Sequence, residues 1–285
     1  MIPSSVTYYR AKSIGDALST LKANPDAKLL AGGHSLVPAM KLRLNSPTMV
    51  IDIANVKEMC GIEESEGKIR IGSMATHADI LNSAMIQNKL PLLAQTAKVI
   101  GDVQVRNMGT IGGSIAHADP AADWPASLLA LEAEIVVQRE EEIMHIAAED
   151  FFLGFFMTAL EESDIVVGIE IDLEKVGNKM AYAKFMQPAS RFAIVGCAVN
   201  LKVGAEKILE AKVAFTGVAD GPFRDKAIEA ALAGKAISKE QINEAAQLAA
   251  SGADSIMEDH YASEEYRRHL AKVYAQRALT AALGL

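Results

Sequence analysis

The chain has 285 residues, half of them hydrophobic and 22% charged, with 28 basic against 36 acidic side chains for a net charge of −8. This is ordinary globular composition with enough material for one large domain or two to three small ones, and the acidic balance gives no general reason to seek nucleic acid or an anionic membrane surface. The two cysteines, Cys60 and Cys197, lie far apart and in no paired spacing; they argue against a disulfide framework and against a zinc or iron–sulfur site on this chain. Met1 to Arg10 contains no apolar h-region and no run of about 18 apolar residues occurs anywhere, so neither a signal peptide nor a membrane span is expected and the cytoplasm is the expected location.

Ile14, Ala17, Leu18 and Leu21 recur at helical spacing after Ser13, which predicts a capped helix over 13–24. Short strands are predicted at 28–31, ended by Gly32-Gly33, and at 49–53. Residues 68–73 alternate, with Ile69 and Ile71 on one face of a half-buried strand. A helical pattern covers 81–100. The Gly-, Ala-, Asp- and Pro-rich stretch 109–123 reads as a long ordered loop or a string of turns, followed by a helix at 125–132 and a strand at 134–138. Composition breaks at 174–179, where Gly177-Asn178 marks a turn. Beyond it, strands are expected at 181–185, 193–203 and 211–218. Ser238 with Gln241 has the form of a capping box opening a helix. Ser263 opens a last helix whose stripe of Tyr266, Leu270, Val273 and Tyr274 is most simply core packing. The tail is therefore expected to be a three-stranded meander covered by helices.

Two double-glycine loops carry the chemistry. Ala31-Gly32-Gly33-His34-Ser35 follows a strand, and Thr110-Ile111-Gly112-Gly113-Ser114 lies in the second stretch. Paired glycines let a ligand approach the backbone, successive N–H groups in such a turn form a concavity for anions, and the neighbouring hydroxyls add donors. Two such loops could grip a pyrophosphate from both sides. No G-x-G-x-x-G joins a strand to a helix and no G-x-x-x-x-G-K-[ST] occurs, so neither a Rossmann site nor a nucleotide-hydrolysing phosphate loop is indicated. Asp123 precedes Trp124-Pro125 and could equally be a helix cap. Trp124 reads as core and Cys197 as an inert buried thiol. His34 and His117 lack the partners a metal site would need.

Lys28-Leu29-Leu30-Ala31-Gly32-Gly33-His34-Ser35-Leu36, then Arg106-Asn107-Met108-Gly109-Thr110-Ile111-Gly112-Gly113-Ser114-Ile115, then Ala118-Asp119-Pro120-Ala121-Ala122-Asp123 resemble the FAD-binding medium subunit of the carbon monoxide dehydrogenase and xanthine dehydrogenase family. Gly217-Val218 with Arg224, and Tyr266-Arg267-Arg268-His269-Leu270 with Arg277-Ala278-Leu279, extend the resemblance to essentially the whole chain. The resemblance implies an α+β fold: a two-lobed FAD-binding domain of the PCMH type over 1–176, with lobes of about 1–54 and 55–176, then a C-terminal domain over 177–285 closing over the flavin. It implies that 28–36 and 109–114 wrap the pyrophosphate and ribityl chain. Ile100, His117, Asp123, Val166 and Lys184 would also lie at the cofactor, with no catalytic acid–base residue and no metal on this chain. The segment 187–192 departs from the family's basic-then-acidic pattern, so no role carries over to Arg191 or Phe192.

The implied function is an oxidoreductase subunit relaying electrons through non-covalently bound FAD to an external acceptor. The iron–sulfur clusters and the molybdopterin cofactor would sit on a small and a large partner subunit, two such heterotrimers pairing. Two alternatives stay open from the residues: a stand-alone flavin oxidase with FAD bonded covalently to His34, and a non-catalytic nucleotide-binding module.

Overall fold

The computed structural model describes residues 2–253 and 255–285; Met1 lies outside the described residues. Two parallel strands, β1 (Thr7–Arg10) and β2 (Lys28–Leu30), flank β3 (Met49–Asp52) in a small sheet of order β1-β3-β2. The crossover helix α1 (Ile14–Ala23) begins where Ser13 accepts the Asp16 N–H, as its sequence predicts. A second helix, α2 (Leu36–Lys41), follows the first glycine loop.

The chain then builds a five-stranded antiparallel sheet, order β4-β5-β10-β6-β7, from β4 (Ile62–Ser65), β5 (Lys68–Gly72), a helical excursion, β6 (Glu134–Arg139), β7 (Glu142–Ala147) and, later, β10 (Ile165–Asp172). The excursion is α3 (His77–Asn82), α4 (Ala84–Lys89), α5 (Pro91–Val99), α6 (Val103–Met108), α7 (Ile111–His117) and α8 (Trp124–Ala130). The single helix expected over 81–100 is thus three. Ser83 ends one helix and caps the next by accepting the Ile86 N–H, and Pro91 can only open a new one. The expected loop at 109–123 contains α7, whose start is fixed by the Thr110 side chain accepting the Gly113 N–H.

A short helix α9 (Ala148–Phe151) and the hairpin β8 (Phe152–Gly154) with β9 (Met157–Thr158) lead into β10. β10 is buried on both faces. Ile165 and Val167 join the N-terminal core of Ala17, Leu21 and Ile51, while Ile169 and Ile171 join the helical core around Trp124. One strand therefore welds the small sheet to the large one.

The C-terminal part is a sheet of order β11-β12-β13-β14: β11 (Lys179–Met186), β12 (Ala193–Gly204), β13 (Lys207–Thr216) and β14 (Phe223–Arg224). The expected three-stranded meander is correct for the first three; the fourth strand pairs only two residues, too short to leave a sequence pattern. Helices α10 (Lys226–Leu232), α11 (Lys239–Ala246) and α12 (Glu264–Leu283) cover one face. Val195, Cys197, Val199 and Leu201 point to these helices, whereas Ala198 and Ala214 point to the helical core of the preceding part. Small side chains on that second face let α8 lie close. Asn200 Nδ2 reaches the Ala130 carbonyl at 3.0 Å, and the Thr216 hydroxyl meets the carbonyls of Pro120 and Ala122.

Two C-terminal expectations need correction. Ser238 caps α11, but Gln241 turns to Glu244, so only half the capping box forms. On α12, Tyr266 is exposed and Arg267 is buried in its place. The guanidinium of Arg267 earns that position by binding the Ile194 and Gly217 carbonyls and Asp259.

Candidate cofactor site

The two glycine loops meet. A Cβ added to Gly32 would fall 2.8 Å from the Met108 carbonyl carbon and 2.9 Å from Gly109 Cα, and closer still to the Met108 oxygen. A Cβ on Gly113 would stand 3.5 Å from that of Ala31. Gly33 has φ +73, the left-handed region glycine adopts without strain.

Their backbone donors differ. Between β2 and α2, the N–H groups of Gly32, Gly33, His34 and Ser35 have no acceptor among the described residues. These free donors belong to half-buried or exposed residues, the kind of run that can hold an anion. The second loop is otherwise. Ile111 N–H donates to the Ala75 carbonyl, Gly112 N–H to that of Ser73 and Gly113 N–H to Thr110 Oγ1. Two of these donors anchor it to the segment after β5 and Gly113 bonds within the loop, so its contribution is chiefly smallness: glycines 109, 112 and 113 leave a wall with little side chain against the first loop. Of the second loop's N–H groups, that of Thr110 has no acceptor among the described residues, so the first loop presents the longer run of free donors.

The predicted residues divide accordingly. Gly32 is brought against Gly109 and Ala31 against Gly113, whereas Gly33 faces Val37 and Leu30 of its own segment; no hydrogen bond engages the hydroxyls of Ser35 and Ser114 among the described residues. His34 is exposed with its Nδ1 3.1 Å from the Gly32 carbonyl, so its ring folds back on its own loop. Lys28 is exposed on its strand, Leu29, Leu30 and Leu36 are half-buried, and the Ile111 side chain and Gly112 are buried. His117 ends α7, exposed, with its ring centroid 5.1 Å from that of Phe156. Val166 is buried within the large sheet.

A second cluster joins the two parts of the chain. Asp123, buried at the start of α8, accepts from the Tyr182 hydroxyl at 2.7 Å and from Lys184 Nζ at 2.8 Å. Lys184 also donates to the Val99 carbonyl beside Ile100. Burial pushes the Asp123 carboxyl up, and the Lys184 ammonium and the Tyr182 hydroxyl pull against it. Asp123 sits at the cap position of α8 but makes no capping hydrogen bond, so this cluster and not helix capping accounts for it. Trp124 is wholly buried and Cys197 is a buried thiol pushed well up by desolvation, both as the sequence suggests.

Sequence reasoning missed Tyr182, Ser73 and His77. Ser73 and His77 flank the segment that carries the second glycine loop: His77 N–H donates to the Gly109 carbonyl, and the buried Ser73 hydroxyl has no partner. The Thr76–Asp79 capping box was the one readable signal there, and it marks a helix start without marking a site.

The donor set fits a nucleotide diphosphate: a run of free N–H groups, unengaged hydroxyls and a wall where any Cβ would intrude. Fold and site thus define a two-sheet α+β scaffold with a glycine-lined nucleotide cradle, closed by a third, antiparallel sheet. Residues 4–172 match the family of the FAD binding domain in molybdopterin dehydrogenase, and residues 180–282 match the CO dehydrogenase flavoprotein C-terminal domain. The chain is 40% identical to the carbon monoxide dehydrogenase medium chain of Hydrogenophaga pseudoflava, covering 99% of this chain and 98% of that one. It is 36% identical to the glyceraldehyde dehydrogenase medium chain of Sulfolobus acidocaldarius, covering 98% of each. Among solved structures, it superposes on carbon monoxide dehydrogenase from Hydrogenophaga pseudoflava with a TM-score of 0.95 at 41% identity, covering 100% and 99% of the two chains. For quinoline 2-oxidoreductase from Pseudomonas putida 86 the TM-score is 0.94 at 28% identity, with the same coverage. The chain belongs to the family of FAD-binding medium subunits of the molybdenum hydroxylases, and it is an oxidoreductase subunit.

Proposed function

We propose that this chain holds one FAD non-covalently and relays electrons from an iron–sulfur subunit to an external acceptor, while substrate is oxidised at a molybdenum centre in a large subunit. The observation that carries this reading is the run of free N–H groups at 32–35 set against the second glycine loop. Gly32 and Gly33 would bind the diphosphate through backbone donors, and Ser35 and Ser114 through hydroxyls. Bound there, the flavin would supply exchange between one- and two-electron carriers. Gly109, Thr110, Gly112 and Gly113 shape the wall. Asp123, Tyr182 and Lys184 hold the C-terminal sheet against the helices beside Ile100, which is how residues 177–285 would close over a cofactor carried by residues 1–176. His34, turned onto Gly32, would contribute to the loop's shape without a covalent bond to the flavin.

Two further facts support a relay. The only cysteines are Cys60 and Cys197, so cluster ligands must come from another chain. Relatives that align over nearly all of this chain are named for carbon monoxide, glyceraldehyde and nicotine, which is expected when the substrate pocket lies in a different subunit. Among the described residues no helix is long and apolar enough to cross a membrane. The test is co-expression with adjacent iron–sulfur and molybdenum genes. The chain should co-purify with both products, two trimers together, and alone should reduce dyes only from a chemical reductant. Oxidation of an organic substrate by the chain alone would favour a stand-alone oxidase.

A further inference from the structure

We propose that His77 is a cofactor-binding residue whose Nε2–H donates to an oxygen of the FAD diphosphate where the two glycine loops cross. The inference rests on the FAD reading above and adds a donor that lies outside both glycine motifs.

The tautomer follows from one hydrogen bond. His77 is 5% exposed, and its Nδ1 lies 3.1 Å from the indole Nε1 of the wholly buried Trp124. An indole nitrogen can only donate, so Nδ1 is the acceptor and carries no proton. The ring is neutral at neutral pH: burial first, then the nearby His34 and Arg106, bring its pKa down to about 4. A neutral imidazole with a bare Nδ1 carries its proton on Nε2.

That proton lies at the loop crossing. A Cβ built on Gly109 would stand 2.7 Å from Nε2 and 3.0 Å from Cδ2, so the ring edge lies directly against Gly109. Gly109 Cα is also one of the atoms against which Gly32 closes. Nε2 has no acceptor among the described residues, whereas Nδ1 and the backbone N–H of the same residue are both engaged. Among the described residues the fully buried side-chain atoms without a partner are Ser73 Oγ and Arg267 Nε, so Nε2 keeps some contact with solvent, where a ligand oxygen can meet it. The N–H run of the first loop, whose Gly32 closes on Gly109, likewise lacks acceptors. Unengaged donors on either side of Gly109 suit an anionic ligand, and a diphosphate offers several oxygens to them.

Two substitutions separate binding from structure. His77→Asn places an oxygen near the position of Nδ1, which keeps the Trp124 bond and removes the Nε2 donor. His77→Gln places an amide N–H near Nε2 and abandons Trp124. FAD and ADP affinities are measured on the flavin-stripped complex of the full chain with its co-expressed partners, alongside thermal unfolding. A donor to a charged acceptor predicts about a tenfold or greater loss of affinity in His77→Asn for both FAD and ADP, with Tm nearly unchanged. His77→Gln should recover the affinity at a lower Tm. Wild-type affinity in His77→Asn would overturn the proposal, as would equal losses in both variants that track Tm. A loss for FAD with none for ADP would refute the diphosphate assignment. Wild-type protein that binds no FAD would instead refute the functional reading on which the proposal rests.

Discussion

Replacing Gly32 with alanine tests the apposition of the two loops with a single methyl group. Its Cβ would fall 2.8 and 2.9 Å from backbone carbon atoms of Met108 and Gly109. Ordinary carbon contacts begin near ~3.5 Å, so the loops must part by ~0.6 Å or more there, and further at the Met108 oxygen. Backbone atoms have no rotamer in which to escape. Overpacking of this kind costs ~1–3 kcal/mol, which in a chain of this size lowers Tm by ~2–4 °C for each kcal/mol. The larger effect should be on the cofactor, because the wall and the N–H run no longer face each other: FAD affinity should fall at least ~10-fold, a loss of ~1.4 kcal/mol. Thermal unfolding and flavin fluorescence titration read the two effects separately. Gly15→Ala is the control, since the nearest atom to its Cβ is Ser13 Oγ at 4.0 Å; it should stabilise α1 by up to ~1 kcal/mol and leave FAD binding unchanged. Wild-type Tm and full FAD occupancy in Gly32→Ala would refute the loop geometry.

Two other perturbations follow from buried polar groups. Lys184→Met removes the ammonium from Asp123 and should cost ~3–5 kcal/mol in thermal or denaturant unfolding, because a buried carboxyl is left with Tyr182 alone; a change within ~0.5 kcal/mol would show that the cluster does not hold the C-terminal sheet in place. For His77, the folded pKa of about 4 lies below the unfolded value of 6.5, so the unfolded chain binds a proton that the native ring refuses. Its contribution is therefore fully present above pH 6.5 and is lost as pH falls to about 4, by roughly 3 kcal/mol in all. His77→Asn should flatten that part of the stability–pH curve by one proton; an unchanged slope would show that His77 does not titrate as a buried neutral ring.

Much of this was legible in the sequence where local chemistry decides. Ser13, Ser238 and Ser263 each cap the helix they announce, and the strands around Ile69, Val199 and Val213 follow their apolar pattern. The glycine loops were identifiable as a pair because their function needs backbone without side chains. What escaped depends on contacts between distant residues. α7 has too few large apolar residues for a helical stripe, and it forms because Ser73, Ala75 and Thr110 receive its first N–H groups. Arg267 is charged yet buried because its acceptors come from 73 and 50 residues away. His77 gains its tautomer from an indole 47 residues further along, a partner no local pattern reveals.

On the proposed reading, this cradle holds one non-covalent FAD in each chain. Acid precipitation of the purified complex, followed by flavin quantitation in supernatant and pellet, tests it most directly. One FAD per chain is expected, all of it released to the supernatant, with His34→Ala showing the same partition. Absence of flavin, or flavin that stays with the pellet in the wild type and is lost in His34→Ala, would contradict it.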